Sequence, residues 1–156
     1  WCQGETDATT GITQAQYAAG LVSLVSQFRS RITGAANAAL NGSGTTGVYA
    51  ALVDTGTYTY NAAHQFYSDL SGIVGTEQEI GATKTYVNGV FDGADVSVPS
   101  VTGTTAEAIV LFIKNGGANT TWRLVAYIDT SVTGLPVTPN GGNINITWNA
   151  SGIFGL

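Results

Sequence analysis

Two uninterrupted apolar runs, Glu107-Ala-Ile-Val-Leu-Phe-Ile-Lys114 and Trp122-Arg-Leu-Val-Ala-Tyr-Ile-Asp129, flank the short link Asn115-Gly-Gly-Ala-Asn119. Runs of this length, rich in β-branched and aromatic residues and bounded by turn formers, read as buried strands. A five-residue link containing glycine suits a hairpin. In an extended chain Ile109, Leu111 and Ile113 fall on one face, and Val110 and Phe112 on the other. An antiparallel sheet usually leaves one face wet, so a pair that is apolar on both sides needs a second cover. Three covers are available to this chain: a short helix before the runs, an N-terminal helix, or another subunit.

Other segments extend the β-pattern. Asn143-Ile-Asn-Ile-Thr-Trp-Asn149 alternates strictly, with Ile144, Ile146 and Trp148 on one face. Val48 to Val53 is strand-like, Asp54-Thr-Gly56 turns, and Thr57-Tyr-Thr-Tyr60 extends again. Asn61 is placed to cap a short helix through His64, Phe66, Tyr67 and Leu70, and Ser71 to Gly81 reads as a glycine-broken loop. Lys84 to Val87, Val90-Phe91 and Ala94 to Val98 are further short strands, the last confined to an edge or an end by Pro99. Seven or eight short strands predict a mainly β chain, an antiparallel sandwich or barrel-like domain.

Ahead of it, Thr13-Gln-Ala-Gln16 has the form of a capping box, with Ile12 and Tyr17 as its hydrophobic staple. Tyr17, Leu21, Leu24, Val25, Phe28 and Ile32 then recur at helical spacing, and Arg29 and Arg31 sit where cations favour a helix end. This predicts an amphipathic helix over residues 13–33. Gly34 to Leu40 could extend it weakly, and Asn41 to Gly47 reads as a flexible linker. The expected division is an N-terminal arm and linker over 1–46 and a β-domain over 47–156. The opening Trp1-Cys-Gln-Gly-Glu5 does not have the form of a signal peptide.

Only 10% of the residues are charged, against about 25% in ordinary soluble domains. Thr, Ser, Asn and Gly take their place, giving either a neutral polar surface or one that spends its time inside an assembly. The net charge is −5 and the five cations are scattered, so the basic stripe that nucleic acid needs is missing. No apolar run reaches the ~18 residues of a membrane span.

Reactive chemistry has few candidates. Cys2 and His64 are the sole cysteine and histidine and lie far apart in sequence, which makes a poor zinc site. His64 with Ser68 and Asp69 lacks a nucleophile elbow, and a structural histidine is the expectation. Glu77/Glu79 and Asp92/Asp95 are the carboxylate pairs that acid–base work would call on, each with a solvated loop or Asx turn as its alternative. Trp122, Tyr127, Trp148, Tyr58 and Tyr60 are candidate sugar-stacking rings, or equally cross-strand core pairs. No catalytic, metal or cofactor residue is assigned, and a non-enzyme is expected.

Taken together, Val53-Asp-Thr-Gly-Thr-Tyr-Thr-Tyr60, Ala63-His-Gln-Phe-Tyr-Ser-Asp-Leu70, Asn88-Gly-Val-Phe-Asp92, Ala106-Glu-Ala-Ile-Val110, Arg123-Leu-Val-Ala-Tyr-Ile-Asp129, Leu135-Pro-Val-Thr-Pro-Asn-Gly-Gly142 and the closing Ile153-Phe-Gly-Leu156 resemble a family of small structural proteins of tailed bacteriophages. The likeness runs in order from Val48 to Leu156, and the segment before Gly47 departs from it. The resemblance implies a virion structural protein, on capsid or tail surface, with no catalytic residues. Its expected role is head decoration, packing on a major capsid or other virion protein and on sister copies, without nucleic-acid or membrane partners. The helix stripe Tyr17, Leu21, Leu24, Val25 and Phe28 is the expected interface. A tail, fibre or filament subunit and a carbohydrate-binding β-module are the alternatives.

Overall fold

The structure, a computed structural model, describes residues 44–81, 83–129 and 134–155. They fall in the second of two units into which the chain divides, Ala39–Leu156. The expected helix over 13–33, its stripe Tyr17, Leu21, Leu24, Val25 and Phe28, and Cys2 lie outside the described residues.

The described chain is mainly β, and its sheets are antiparallel. Nine strands occur among the described residues: β1 Thr46–Val53, β2 Ile73–Glu79, β3 Thr85–Val87, β4 Val90–Asp92, β5 Val96–Val98, β6 Ala108–Asn115, β7 Arg123–Ile128, β8 Ile144–Ile146 and β9 Phe154–Gly155. They form a four-stranded sheet ordered β2-β1-β6-β7, a three-stranded sheet β3-β4-β9 and the pair β5-β8. Both apolar runs are strands, and they pair as a hairpin with Ile109 opposite Ile128 and Ile113 opposite Arg123. Asn115 shapes their link, its Oδ1 accepting from the Gly117 amide and the Thr121 hydroxyl, each at 3.0 Å.

β1 and β6 are the inner strands, which is why both are apolar on both faces. On one face Val48, Ala50, Leu52, Ile109 and Leu111 pack with Val74, Ile80, Phe91, Val96, Val98, Val101 and Ile146, which come from β2, the smaller sheets and their loops. On the other face Tyr49, Ala51, Val53, Ala108, Val110 and Phe112 meet Tyr58, Tyr67 and Leu70.

Those last three residues identify the second cover. It is the long connection from β1 to β2, folded across the sheet as a flap. The flap holds only one turn of 3-10 helix, Tyr67–Asp69, where a longer helix through Leu70 was expected. Its far end is stitched to the outer edge of β7: the Leu124 amide donates to the Gln65 carbonyl and the Tyr67 amide to the Trp122 carbonyl, both at 2.9 Å. Arg123 adds a side-chain bond to Gln65 Oε1 at 2.8 Å and lies over the Phe66 ring. Of the three covers offered, the short segment before the apolar runs closes this face, as a loop with one 3-10 turn in place of the expected helix.

Two other expectations change. Thr57 to Tyr60 is not a strand, because the Asp54 carboxylate takes the Gly56 amide at 2.7 Å and the Thr57 hydroxyl at 2.9 Å and holds a turn. Ser71 to Gly81 is not a loop but largely β2, an outer strand whose polar residues Thr76 to Glu79 are exposed or half-buried.

Two carboxylates brace the ends of the flap. The hydroxyls of Thr57 and Thr104 hold the buried Asp54 below its ordinary range, and the Phe66 and Gln65 amides do the same for Asp69. A depressed folded-state pKa contributes stability that is present above the unfolded value of about 4 and is lost as pH falls through the folded value. The midpoint of urea unfolding is therefore expected to hold level from pH 8 to 5 and fall steeply below about pH 4. Asp54→Asn and Asp69→Asn should each lower the neutral-pH midpoint and flatten that acid limb; an unchanged acid limb in both variants would rule these two groups out.

Candidate functional site

Most of the residues singled out in the sequence have structural positions. The Trp122 indole N–H donates to the Gly117 carbonyl at 2.8 Å, and its ring stacks on Phe112. The Trp148 indole donates to the Ala94 carbonyl at 3.0 Å. Glu77 pairs with Lys114 at 2.8 Å and Glu79 with Lys84 at 3.5 Å, so the two glutamates serve different lysines. Asp69 Oδ2 accepts the Gln65 and Phe66 amides, each at 2.9 Å, and Asp95 accepts the Trp148 amide at 3.0 Å. Among the described residues no three His, Cys, Asp or Glu side chains gather where a metal could bind, and no helix is long and apolar enough to cross a membrane.

Lys114 is enclosed in a distinctive way. Its ammonium lies 4.2 Å from the centre of the Tyr49 ring and 4.4 Å from that of Trp122, with the Glu77 carboxylate as its counter-ion. Burial pushes the Glu77 carboxyl up, but Lys114 and the Tyr67 hydroxyl outweigh it and leave the group below its ordinary range. Tyr67 is pushed up to about 12, by burial first and then by the adjacent Glu77. An ammonium over two aromatic faces beside a carboxylate is held by ring quadrupoles and by charge together.

A second group of aromatic and acidic residues lies where the flap leaves β1 and crosses β7. Tyr58 is buried, and its hydroxyl is hydrogen-bonded to His64 Nδ1 at 3.0 Å. Its ring lies 6.0 Å from Tyr127 of β7, and Tyr127 lies 5.0 Å from Tyr60. Tyr60 is 57% exposed, the most open tyrosine among the described residues. The Tyr60 and Tyr127 planes are inclined by 36°, which makes a wedge rather than a flat shelf.

Clefts open beside this wedge. One of 150 Å³ is lined by His64, Leu70 and Val110 together with the tyrosines. The other, of 350 Å³, is lined by Thr55, Tyr58, Thr59, Tyr60, Glu107, Tyr127 and Asp129. Glu107 is fixed in place by accepting the Thr55 amide at 2.8 Å and its hydroxyl at 3.2 Å. Burial raises the Tyr127 phenol, and the negative charges of Asp129 and Glu107 raise it further.

A larger cleft, 540 Å³, is lined mainly by aliphatic side chains including Leu52, Ile109, Leu135, Ile146 and Ile153, an extension of the main core. Of the five rings considered for sugar stacking, the structure brings Tyr58, Tyr60 and Tyr127 together and places Trp122 and Trp148 elsewhere. Sequence reading did not single out Glu107 and Asp129 as members of this group. The spacing of charges carries no signal for it, because strand pairing supplies the proximity. No protein-family model matches the chain, and no curated protein is recognisably similar to it in sequence.

Proposed function

We propose that this chain is a structural protein of a tailed-bacteriophage particle, a non-catalytic head decoration subunit that packs on the shell and beside sister copies. In this reading the β-body is sandwich-like and the N-terminal amphipathic helix is a docking arm. One observation carries the reading. With the faces of its main sheet covered by its own chain, the body turns outward chiefly hydroxyls, amides and glycines, including Thr55, Thr59, Ser71, Thr76, Ser97, Thr102, Asn143 and Asn145. Such a surface can hydrogen-bond a neighbour without burying unpaired charge, the main cost of dense packing. The ordered likeness from Val48 to Leu156 supports the same reading.

Cryo-electron microscopy with mass spectrometry of purified particles tests it. Symmetrically arranged copies on the head are expected; a protein absent from purified particles would sink the reading. Copies confined to the tail would favour a tail or fibre subunit instead. The exposed Tyr60 favours a second reading, a carbohydrate-binding β-module, for which retention on immobilised glycan, lost in Tyr60→Ala, is the corresponding test.

A further inference from the structure

We propose that the cleft bounded by Tyr60, Tyr127, Glu107 and Asp129 receives a cationic side chain, arginine or lysine, from a partner protein. The inference goes beyond the virion reading and does not depend on it, because the cleft has the same chemistry in any assembly.

Three observations point to a cation. Three tyrosines and two carboxylates line one 350 Å³ cleft, and no lysine or arginine lines it among the described residues. Ring faces and carboxylates both attract positive charge, and neither attracts an anion. Next, the same chain holds a filled version of this arrangement: Lys114 sits over Tyr49 and Trp122 and pairs with Glu77. The described cations are engaged elsewhere, Lys84 with Glu79, Lys114 with Glu77, and Arg123 with Gln65 and Phe66. Finally, the Tyr60 ring is 57% exposed at the cleft, so a guanidinium or ammonium can reach it from solvent.

The test is an NMR titration of the full-length protein with acetyl-tetra-arginine amide, with acetyl-tetra-glutamine amide as neutral control and chitotetraose as glycan probe. The arginine peptide is expected to shift the Tyr60 and Tyr127 ring resonances and to bind more weakly as salt is added. Tyr60→Ala should weaken binding about fivefold and Asp129→Asn about threefold, while Tyr60→Phe, which keeps the ring, stays within about twofold. Both positions are exposed, so folding should survive, and thermal unfolding of each variant checks that. The proposal is overturned if the arginine peptide leaves both rings unmoved, if the glutamine peptide binds as well, or if chitotetraose alone moves them.

Discussion

Replacing Phe112 with alanine is expected to destabilise the protein by about 3–5 kcal/mol, the range for emptying a buried aromatic site. Phe112 is fully buried beneath the flap, with ring centres at 4.4 Å to Tyr67, 5.8 Å to Tyr49 and 5.8 Å to Trp122. Rings from strand β1, the flap and the end of the β6–β7 link all pack on it. Lys114 lies over both Tyr49 and Trp122, which limits how far these rings can close into the cavity. Phe112→Leu, which keeps most of the apolar volume, should cost about 1.5 kcal/mol or less. Urea unfolding at neutral pH measures both. Amide exchange at Tyr67 and Leu124 should accelerate in the alanine variant, since their bonds stitch the flap to β7. A loss under about 1 kcal/mol would mean that the flap does not seal this face.

The second large effect is expected at Gly75. Pairing of β1 with β2 slips between Ala50 and Leu52, which places a bulge in β2 that contains Gly75 at φ +73°. A Cβ there would lie 2.9 Å from Val98 Cγ1 and 3.2 Å from Val101 Cγ1. Valine at this position combines a left-handed backbone, costing about 1–2 kcal/mol, with overpacking of about 1–3 kcal/mol. Gly141→Ala separates the two contributions. Gly141 also has a positive φ, +86°, but its Cβ would meet nothing within 4 Å. It should therefore lose only the backbone part. Equal midpoints for Gly75→Val and Gly141→Ala in chemical denaturation would show that Val98 and Val101 do not press on β2.

What could be read before the structure follows from how much of each element's burial is periodic. β6 and β1 announce themselves because inner strands are apolar on both faces, and β7, an edge strand, because five of its six residues are apolar. β8 is legible because Ile144, Ile146 and Trp148 turn inward while Asn145 and Thr147 face water. β2 was hidden by its bulge, which breaks the alternation after Val74, and by Glu77 and Glu79, whose charges are satisfied by lysines that come near only in the folded chain. The flap has no period at all. Its anchors Tyr58, Tyr67 and Leu70 are spaced by the turns that Asp54 and Asp69 hold, and side-chain-to-backbone bonds of that kind leave no hydrophobic signature. The tyrosine cleft is less legible still, since Tyr60 and Tyr127 meet only after β7 has paired with β6 and the flap has closed.

The pairing of β1 with β6 also bears on how the chain comes off the ribosome. These two inner strands are separated by about sixty residues of sequence. The most fully buried strand is thus made early and has only its outer neighbour β2 for company until the hairpin emerges. Long-range closure of this kind slows folding and prolongs the exposure of sticky intermediates. Nascent chains stalled before Ala108 should therefore bind chaperones, whereas chains released past Ile128 should escape them.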